Sequence, residues 1–215
     1  MSTFLDNWLL RRAMSAPRGG GGGILPAEYQ QVEYLQGNGS AYINTGYYPN
    51  TNTEIELRCK YTNTNSDNPM FAVDAGAYSY QGCTCSTASS SNVVMVFENT
   101  FTTQFEYQVD KVVDVSINKS AFSFDGATIP ITKTISYASQ HPLFILGWDR
   151  NGNKILSGTG CVYHLVIAES GTTLKDLYPC YRKSDNKPGM FDLVTRQFFT
   201  NANPSGNDFT VGPNI

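Results

Sequence analysis

The sequence contains little charge, and its few basic residues form no patch. Only 15% of its 215 residues are Asp, Glu, Lys or Arg, and the formal net charge at pH 7 is −3. Proteins that bind nucleic acid carry clustered Lys and Arg side chains that neutralise phosphates. The composition therefore disfavours nucleic acid as a partner.

The sequence contains only two histidines, and its cysteines lack the spacing of a metal site. Neither His141 nor His164 accompanies a serine or cysteine nucleophile motif. We expect His164, which stands in an apolar run, to be a hydrogen-bonded core residue. The five cysteines are an odd number, and Cys83 and Cys85 are too close for an easy mutual disulfide. With no recognisable secretory signal, we expect reduced thiols, and we predict no cofactor.

The most unusual feature that is present is a run of five glycines at positions 19–23. Glycine runs behave as flexible coils, so this run is typical of a tether between two bodies. Before it, Thr3 and Asp6 resemble a capping box, and Pro17 is expected to end the helix that they begin. We predict three parts: an N-terminal helical arm (1–18), a Gly-rich tether (19–24) and one large domain (25–215).

The arm carries large apolar side chains on a helix too short to be stable alone. We predict that four of them anchor the protein to a partner, namely Phe4, Leu5, Trp8 and Leu9. A transmembrane helix needs about 20 apolar residues, and the arm has few basic residues for a membrane-surface helix. Docking into a groove of another protein is the favoured interpretation. Packing against the chain's own domain and binding to a membrane surface remain alternatives.

Residues 25–215 have the pattern of many short strands. Apolar and charged residues alternate over 54–61, which indicates a strand with one buried face. Asp125-Gly126 is typical of a two-residue hairpin turn. The run 160–169 is apolar on both faces and predicts a central strand. With further strands predicted at 93–99, 103–110 and 112–119 and no convincing helix after residue 35, the domain is predicted to be an all-β antiparallel sandwich.

Two motifs at the ends of this domain resemble one family. The opening stretch is LPAEYQQVEYLQGNGSAYINTGYYPNTNTEIEL, and the closing stretch is LYPCYRKSDNKPGMFDLVTRQFFTNANPSGNDFTVGP. Together they resemble concanavalin A-like lectin/glucanase domains of laminin-G type that occur in phage structural proteins. The resemblance implies a jelly-roll of two curved antiparallel sheets, used mostly for binding. We expect Pro188-Gly189 to turn the chain, with Asp192 as the cap of that turn, and the FDLVTRQFFT segment to form a hairpin.

An enzymatic motif of the same superfamily is incomplete here. Laminarinase-like glycosidases carry Glu-x-Asp-x-x-Glu on one strand, and the nearest match starts at Glu54 and Glu56, with Cys59 in place of the last Glu. Retaining glycosidases need two carboxyl groups about 5–5.5 Å apart. We expect both glutamates to lie on the polar face of a strand, and we predict no enzyme.

Candidate ligand-binding residues lie in predicted loops. Residues 74–93 are low in charge and are typical of a long exposed loop or loop pair whose tyrosines can stack on sugar rings. The predicted ligand-binding residues are Tyr78, Tyr80, Trp148, Asp149 and Asn151. A packing role for these aromatic side chains is the alternative.

The turn after Trp148 also resembles the start of a calcium loop. Asp149 opens an Asp-x-Asn-x-Asn stretch, but its glycine, Gly152, falls one place early, and Gly160 stands where the bidentate Glu is needed. A hairpin turn is the favoured interpretation, so we predict no metal.

These observations lead to one expected function and two alternatives. We expect a phage virion protein, assembled in the host cytoplasm, in which residues 1–18 bind other capsid or tail proteins. The displayed domain would decorate the particle or adhere to host-surface or mucus glycans, alone or as a homo-oligomer. The alternatives are a polysaccharide-degrading glycosidase of the same fold and a bacterial surface carbohydrate-binding protein.

Overall fold

The computed structural model describes residues 23–74, 82–89, 92–150, 153–204 and 206–215. This part of the chain consists of strands and turns without a helix, so it offers no helix long and apolar enough to cross a membrane. Several predictions fall outside the described residues and stay predictions. They are the helical arm with Phe4, Leu5, Trp8 and Leu9, and the ligand-binding roles of Tyr78, Tyr80 and Asn151.

The larger of two sheets has eleven strands within the described ranges. They are β1 (Tyr29–Gln31), β2 (Leu35–Gln36), β4 (Thr53–Lys60), β9 (Val112–Asn118), β10 (Ala121–Phe124), β11 (Ala127–Pro130), β15 (Cys161–Glu169), β16 (Thr172–Arg182), β17 (Lys187–Asp192), β18 (Phe198–Thr200) and β19 (Thr210–Val211). The main path runs β11-β10-β9-β4-β15-β16-β17-β18; in addition, β1 pairs with β16, and β2 pairs with β15 and β19. Every pairing in this sheet is antiparallel.

The smaller sheet has eight strands in the same part of the chain. They are β3 (Ile43–Asn44), β5 (Pro69–Asp74), β6 (Gly82–Thr87), β7 (Asn92–Glu98), β8 (Thr100–Glu106), β12 (Phe144–Ile145), β13 (Gly147–Arg150) and β14 (Asn153–Ser157). Its path is β14-β13-β5-β6-β7-β8, with β12 between β3 and β5. The pairing of β13 with β5 is parallel, and the others are antiparallel.

The two sheets enclose one hydrophobic core, which makes the domain an all-β sandwich as predicted. The strand β4 follows the predicted alternation, because Ile55, Leu57 and Cys59 are fully or almost fully buried while the residues between them are half-exposed. From the smaller sheet, Phe71 and Phe97 enter the same core. Burial of such side chains contributes about 1.5–3 kcal/mol each.

Two local predictions are also confirmed. The strand β15 lies between β4 and β16 near the middle of the larger sheet. The β10–β11 hairpin turns at Asp125 and Gly126, whose φ angles are 50° and 85°. Positive φ at both central residues is the signature of a type I′ turn.

The prediction of a loop over residues 74–93 is wrong for the strand β6. Cys83 and Cys85 of this strand belong to the core, and Thr87, on the same strand, is 1% exposed. The Thr87 hydroxyl donates a hydrogen bond to the Asn65 carbonyl oxygen at 2.5 Å and accepts one from the Asn68 backbone nitrogen at 3.0 Å. The polar side chain of Thr87 can be buried because backbone groups satisfy it, which a hydropathy pattern does not reveal.

All five cysteines lie in the described ranges, and each is a buried free thiol. Burial raises the pKa of Cys85 and of Cys180 to about 12 and that of Cys161 to about 11. Because the thiolate is the reactive form, these side chains are poor nucleophiles at neutral pH. They act as small hydrophobic core residues.

Candidate functional site

A groove with a volume of about 420 Å³ lies on the outward face of the larger sheet. Its floor comes from β4, β15 and β16, and the segment 31–33 borders it together with Ile215. Alternate residues of the same strands point into the core, so the groove and the core share one set of strands. The charged and aromatic residues of its lining, with Val166 between them, include Glu33, Glu56, Arg58, Tyr163, His164, Asp176 and Tyr178.

Strand register places the polar side chains of this face in two neighbouring rows. In the first row, Arg58 of β4 lies opposite Asp114 of β9 and His164 of β15. In the second row, Glu56 lies opposite Ser116 and Val166, and Val166 lies opposite Asp176. Each row crosses several strands, which brings together residues that are far apart in the sequence.

A β-bulge in β15 adds Tyr163 to the groove, beside His164. Pairing with β4 passes from Val162↔Cys59 to His164↔Arg58, so Tyr163 is an extra residue in its strand. Val162 belongs to the core, whereas Tyr163 and His164 both line the groove. A bulge re-aims side chains in this way and is common beside functional sites.

His164 is held between an acid and an aromatic ring. Its Nε2 atom lies 2.6 Å from Asp176 Oδ1. Its ring centroid lies 4.3 Å from that of Tyr178, at an interplanar angle of 34°. Two contacts of this kind fix the orientation of the imidazole. All three side chains are half-buried, so each keeps part of its surface open to the groove.

The buried side chain of Asp192 binds the backbone of Asp176. This side chain is fully buried, and its Oδ1 atom accepts hydrogen bonds from the backbone nitrogens of Asp176 at 2.9 Å and Val194 at 3.1 Å. Oδ2 accepts one from the Thr195 hydroxyl at 2.5 Å and lies 3.7 Å from Lys175 Nζ. The prediction of a turn at Pro188-Gly189 capped by Asp192 is wrong, because both residues lie within β17. Asp192 instead caps the turn of the predicted hairpin between β17 and β18, and the same carboxylate fixes the backbone beneath the groove.

The other side of the groove is anchored by an ion pair. Arg58 Nη1 lies 3.2 Å and 3.3 Å from the two carboxylate oxygens of Asp114. Tyr163 packs against Tyr34 with ring centroids 5.4 Å apart. Burial raises the pKa of Tyr163 to about 12, so its hydroxyl stays protonated and can donate a hydrogen bond.

The glutamates of the incomplete enzyme motif have different surroundings. Glu56 lines the groove, whereas Glu54 does not. The Oε1 atom of Glu54 accepts a hydrogen bond from the Gly171 backbone nitrogen at 3.2 Å. The carboxyl group of Glu54 is thus bound at a turn at the end of the sheet.

Two predicted ligand-binding residues lie in the described part, and both are buried. Trp148 is 7% exposed and Asp149 is fully buried, on β13 of the smaller sheet. Neither lines the groove. Their burial favours the packing interpretation, because a side chain that stacks on a sugar needs an exposed face.

Sequence reasoning missed the groove itself. His164 is hydrogen-bonded as expected, to Asp176, but it lies on the groove floor beside Tyr178 and not in the core. One signal was present: a histidine and a tyrosine interrupt an apolar strand, at the position of the bulge. The sequence pattern does not show that β15 pairs with β4 and β16, and this pairing is what brings His164 close to Asp176 and Tyr178.

No metal centre is evident where the structure describes the chain, because no three His, Cys, Asp or Glu side chains there lie close enough to hold an ion. The chain matches no model of a known protein family, and no curated protein sequence matches it. The groove is therefore interpreted from its own chemistry.

Proposed function

We propose that the domain is a lectin-like binding module whose groove takes a carbohydrate chain. The observation that carries this proposal is the combination of two tyrosines, Tyr163 and Tyr178, with fixed charged groups in one open groove. Aromatic rings pack against the apolar faces of sugar rings, and a few placed polar groups orient the hydroxyls. An open groove on a sheet face suits an extended polymer.

Within this proposal, the sandwich is a concanavalin A-like jelly-roll, and the protein is a phage structural component. The resemblance of the two end motifs supports both points. In the folded domain these motifs are neighbours, since β1 pairs with β16, β2 pairs with β19, and Val32 bridges to Asn214. Both motifs also contribute lining residues to the groove. Opening and closing segments thus form one structural unit, as parts of a single family signature would.

Binding without hydrolysis is the favoured activity. Glu54 is bound at Gly171, away from the groove, so the two glutamates of β4 do not form a pair of acids around one bond. Asp176 is engaged by His164 at 2.6 Å. A reducing-sugar assay with the bound polysaccharide distinguishes the glycosidase alternative, because release of sugar ends that depends on Glu56 would contradict a purely binding role.

The first prediction concerns the groove. Tyr178→Ala is expected to weaken glycan binding by about tenfold, or about 1.4 kcal/mol, because it removes one stacking face and loosens His164. Glycan-array screening of the domain, followed by calorimetry on the best ligand, measures this. Tyr48→Ala is the matched control, since Tyr48 is 52% exposed and does not line the groove. Equal losses in both variants would contradict binding in the groove.

The second prediction concerns attachment to the particle. If residues 1–18 anchor the protein to other virion proteins, removing them should abolish incorporation while residues 25–215 still fold. Trp8→Ala and Leu9→Ala should each weaken incorporation by about tenfold or more, because large apolar anchors dominate such interfaces. Immunogold imaging and blotting of purified particles measure this. Normal incorporation of the armless domain would move the anchor into residues 25–215.

A further inference from the structure

We propose that the glycan site extends beyond the groove onto an aromatic platform formed by Tyr29 and Phe198, so that the domain binds long sugar chains in preference to short ones. This inference rests on the proposed glycan binding and adds the length of chain that the site takes. It follows from strand register, from packing on the outward face of the larger sheet and from the polar groups beside the two rings.

Strand register continues the groove floor across three strands. Tyr178 of β16, which lines the groove, lies opposite Phe191 of β17, and Phe191 lies opposite Phe198 of β18. On β17, Met190 belongs to the core, so its neighbour Phe191 takes the outward face. On β18, Phe199 packs against the core, so Phe198 takes the same outward face. Neighbouring strands are about 4.8 Å apart, so this row of rings extends the floor by about 10 Å beyond Tyr178.

A glycine in β17 makes room for the ring of Phe198. Gly189 lies opposite Cys180 on one side and Thr200 on the other. A Cβ atom at Gly189 would lie 2.9 Å from Cε2 and 3.0 Å from Cζ of Phe198, so the ring occupies space that a larger residue would fill. Arg182 lies beside the same ring, with its Cζ atom 5.6 Å from the ring centroid. These contacts fix the orientation of the ring.

Tyr29 joins the platform to the groove. Its ring centroid lies 4.7 Å from that of Phe191 and 4.9 Å from that of Phe198. Phe191 is only 2% exposed, whereas Tyr29 and Phe198 are half-buried and keep part of their rings open to solvent. Two residues further along β1, Gln31 lines the groove, and side chains two apart on a strand share a face. The platform and the groove therefore form one continuous surface.

Polar groups beside the rings can bind sugar hydroxyls. The Cζ atom of Arg196 lies 5.6 Å from the centroid of the Phe191 ring, and its guanidinium forms no ion pair within the described ranges. Partial burial raises the pKa of Tyr29, so its hydroxyl stays protonated and can donate a hydrogen bond. Aromatic surface with a few placed polar groups is typical of a sugar-binding site, and the platform repeats this composition of the groove.

Chain length gives a direct test. Full-length protein is titrated by calorimetry with two series of neutral oligosaccharides, of β-1,4-linked and of β-1,3-linked glucose, each from the disaccharide to the hexasaccharide. In the series that binds, we expect the hexasaccharide to bind about tenfold more tightly than the disaccharide, because only the longer chain reaches from the groove to the second set of rings.

Two variants localise this advantage of the longer chain. Phe198→Leu and Tyr29→Leu keep an apolar side chain in place and remove the aromatic face. Each should reduce the advantage of the hexasaccharide by about threefold or more, while binding of the disaccharide stays unchanged. Tyr48→Leu is the matched control, since Tyr48 is 52% exposed and belongs to neither surface. An unchanged advantage in both platform variants, or an equal loss in the Tyr48 variant, would overturn the inference.

The outcomes separate this inference from the proposed function. Binding that Tyr178→Ala weakens at every chain length, without an advantage for the hexasaccharide, would overturn the platform and support the groove. Equal losses of disaccharide and hexasaccharide binding in Phe198→Leu and Tyr29→Leu would likewise overturn the platform alone. Absence of binding to both series, or binding that Tyr178→Ala leaves unchanged, would overturn both.

Discussion

Replacing Asp192 by Ala is expected to lower the free energy of unfolding by about 3–5 kcal/mol, because it leaves a buried partner charge uncompensated. Lys175 is only 11% exposed at its side chain, and its Nζ lies 3.7 Å from the Asp192 carboxylate. The same change removes the acceptor for the backbone nitrogens of Asp176 and Val194. Each unpaired buried donor adds a cost of its own.

Urea unfolding followed by fluorescence measures this loss. Asp185→Ala is the control, because Asp185 pairs with Arg182 at 2.6 Å on the surface, where water screens an ion pair and the pair contributes little to stability. The double variant Lys175→Met, Asp192→Ala should recover part of the loss, since it removes the stranded charge. A loss for Asp192→Ala no larger than that of Asp185→Ala would contradict the buried-pair account.

Gly158→Ala is expected to destabilise the domain by about 2–3 kcal/mol through overpacking. A Cβ atom at this position would lie 2.2 Å from the Pro69 carbonyl oxygen, and backbone cannot move aside as a flexible side chain can. Gly158 also donates a backbone hydrogen bond to the Leu146 carbonyl and accepts one from Gly39. The chain is thus fixed on both sides of the clash.

Thermal unfolding followed by circular dichroism measures this effect. Gly23→Ala is the control, because a Cβ atom there would meet no other atom within 4 Å. If Gly158→Ala unfolds at the same temperature as Gly23→Ala, the packing between these segments is looser than described.

The elements that the sequence predicts well are those with a local physical cause. The alternation of β4 and the Asp125-Gly126 hairpin depend on a few consecutive residues, and both are confirmed. The strand β6 escapes prediction because its small polar side chains are buried, Thr87 with hydrogen bonds to the backbone. Its interior position comes from pairing with β5 and β7, which no local pattern encodes.

The groove escapes prediction for a related reason. Arg58 and His164 are more than a hundred positions apart and become neighbours only through the register of β4 and β15. They lie opposite each other there because a single extra residue, Tyr163, shifts that register. A bulge has no strong sequence signature, yet this one inserted position decides which side chains face the groove.

The pairing of β1 has a mechanical consequence for a domain held from its N-terminal side. This strand has three residues, and it pairs with β16 alone among the described strands. Tension applied upstream of Tyr29 is therefore carried first by a few hydrogen bonds between β1 and β16. The next residues in line, Gln31 to Glu33, border the groove. Pulling on the chain from this side would thus reach the edge of the groove before it reaches the core, and tension on the predicted tether would change the shape of the groove.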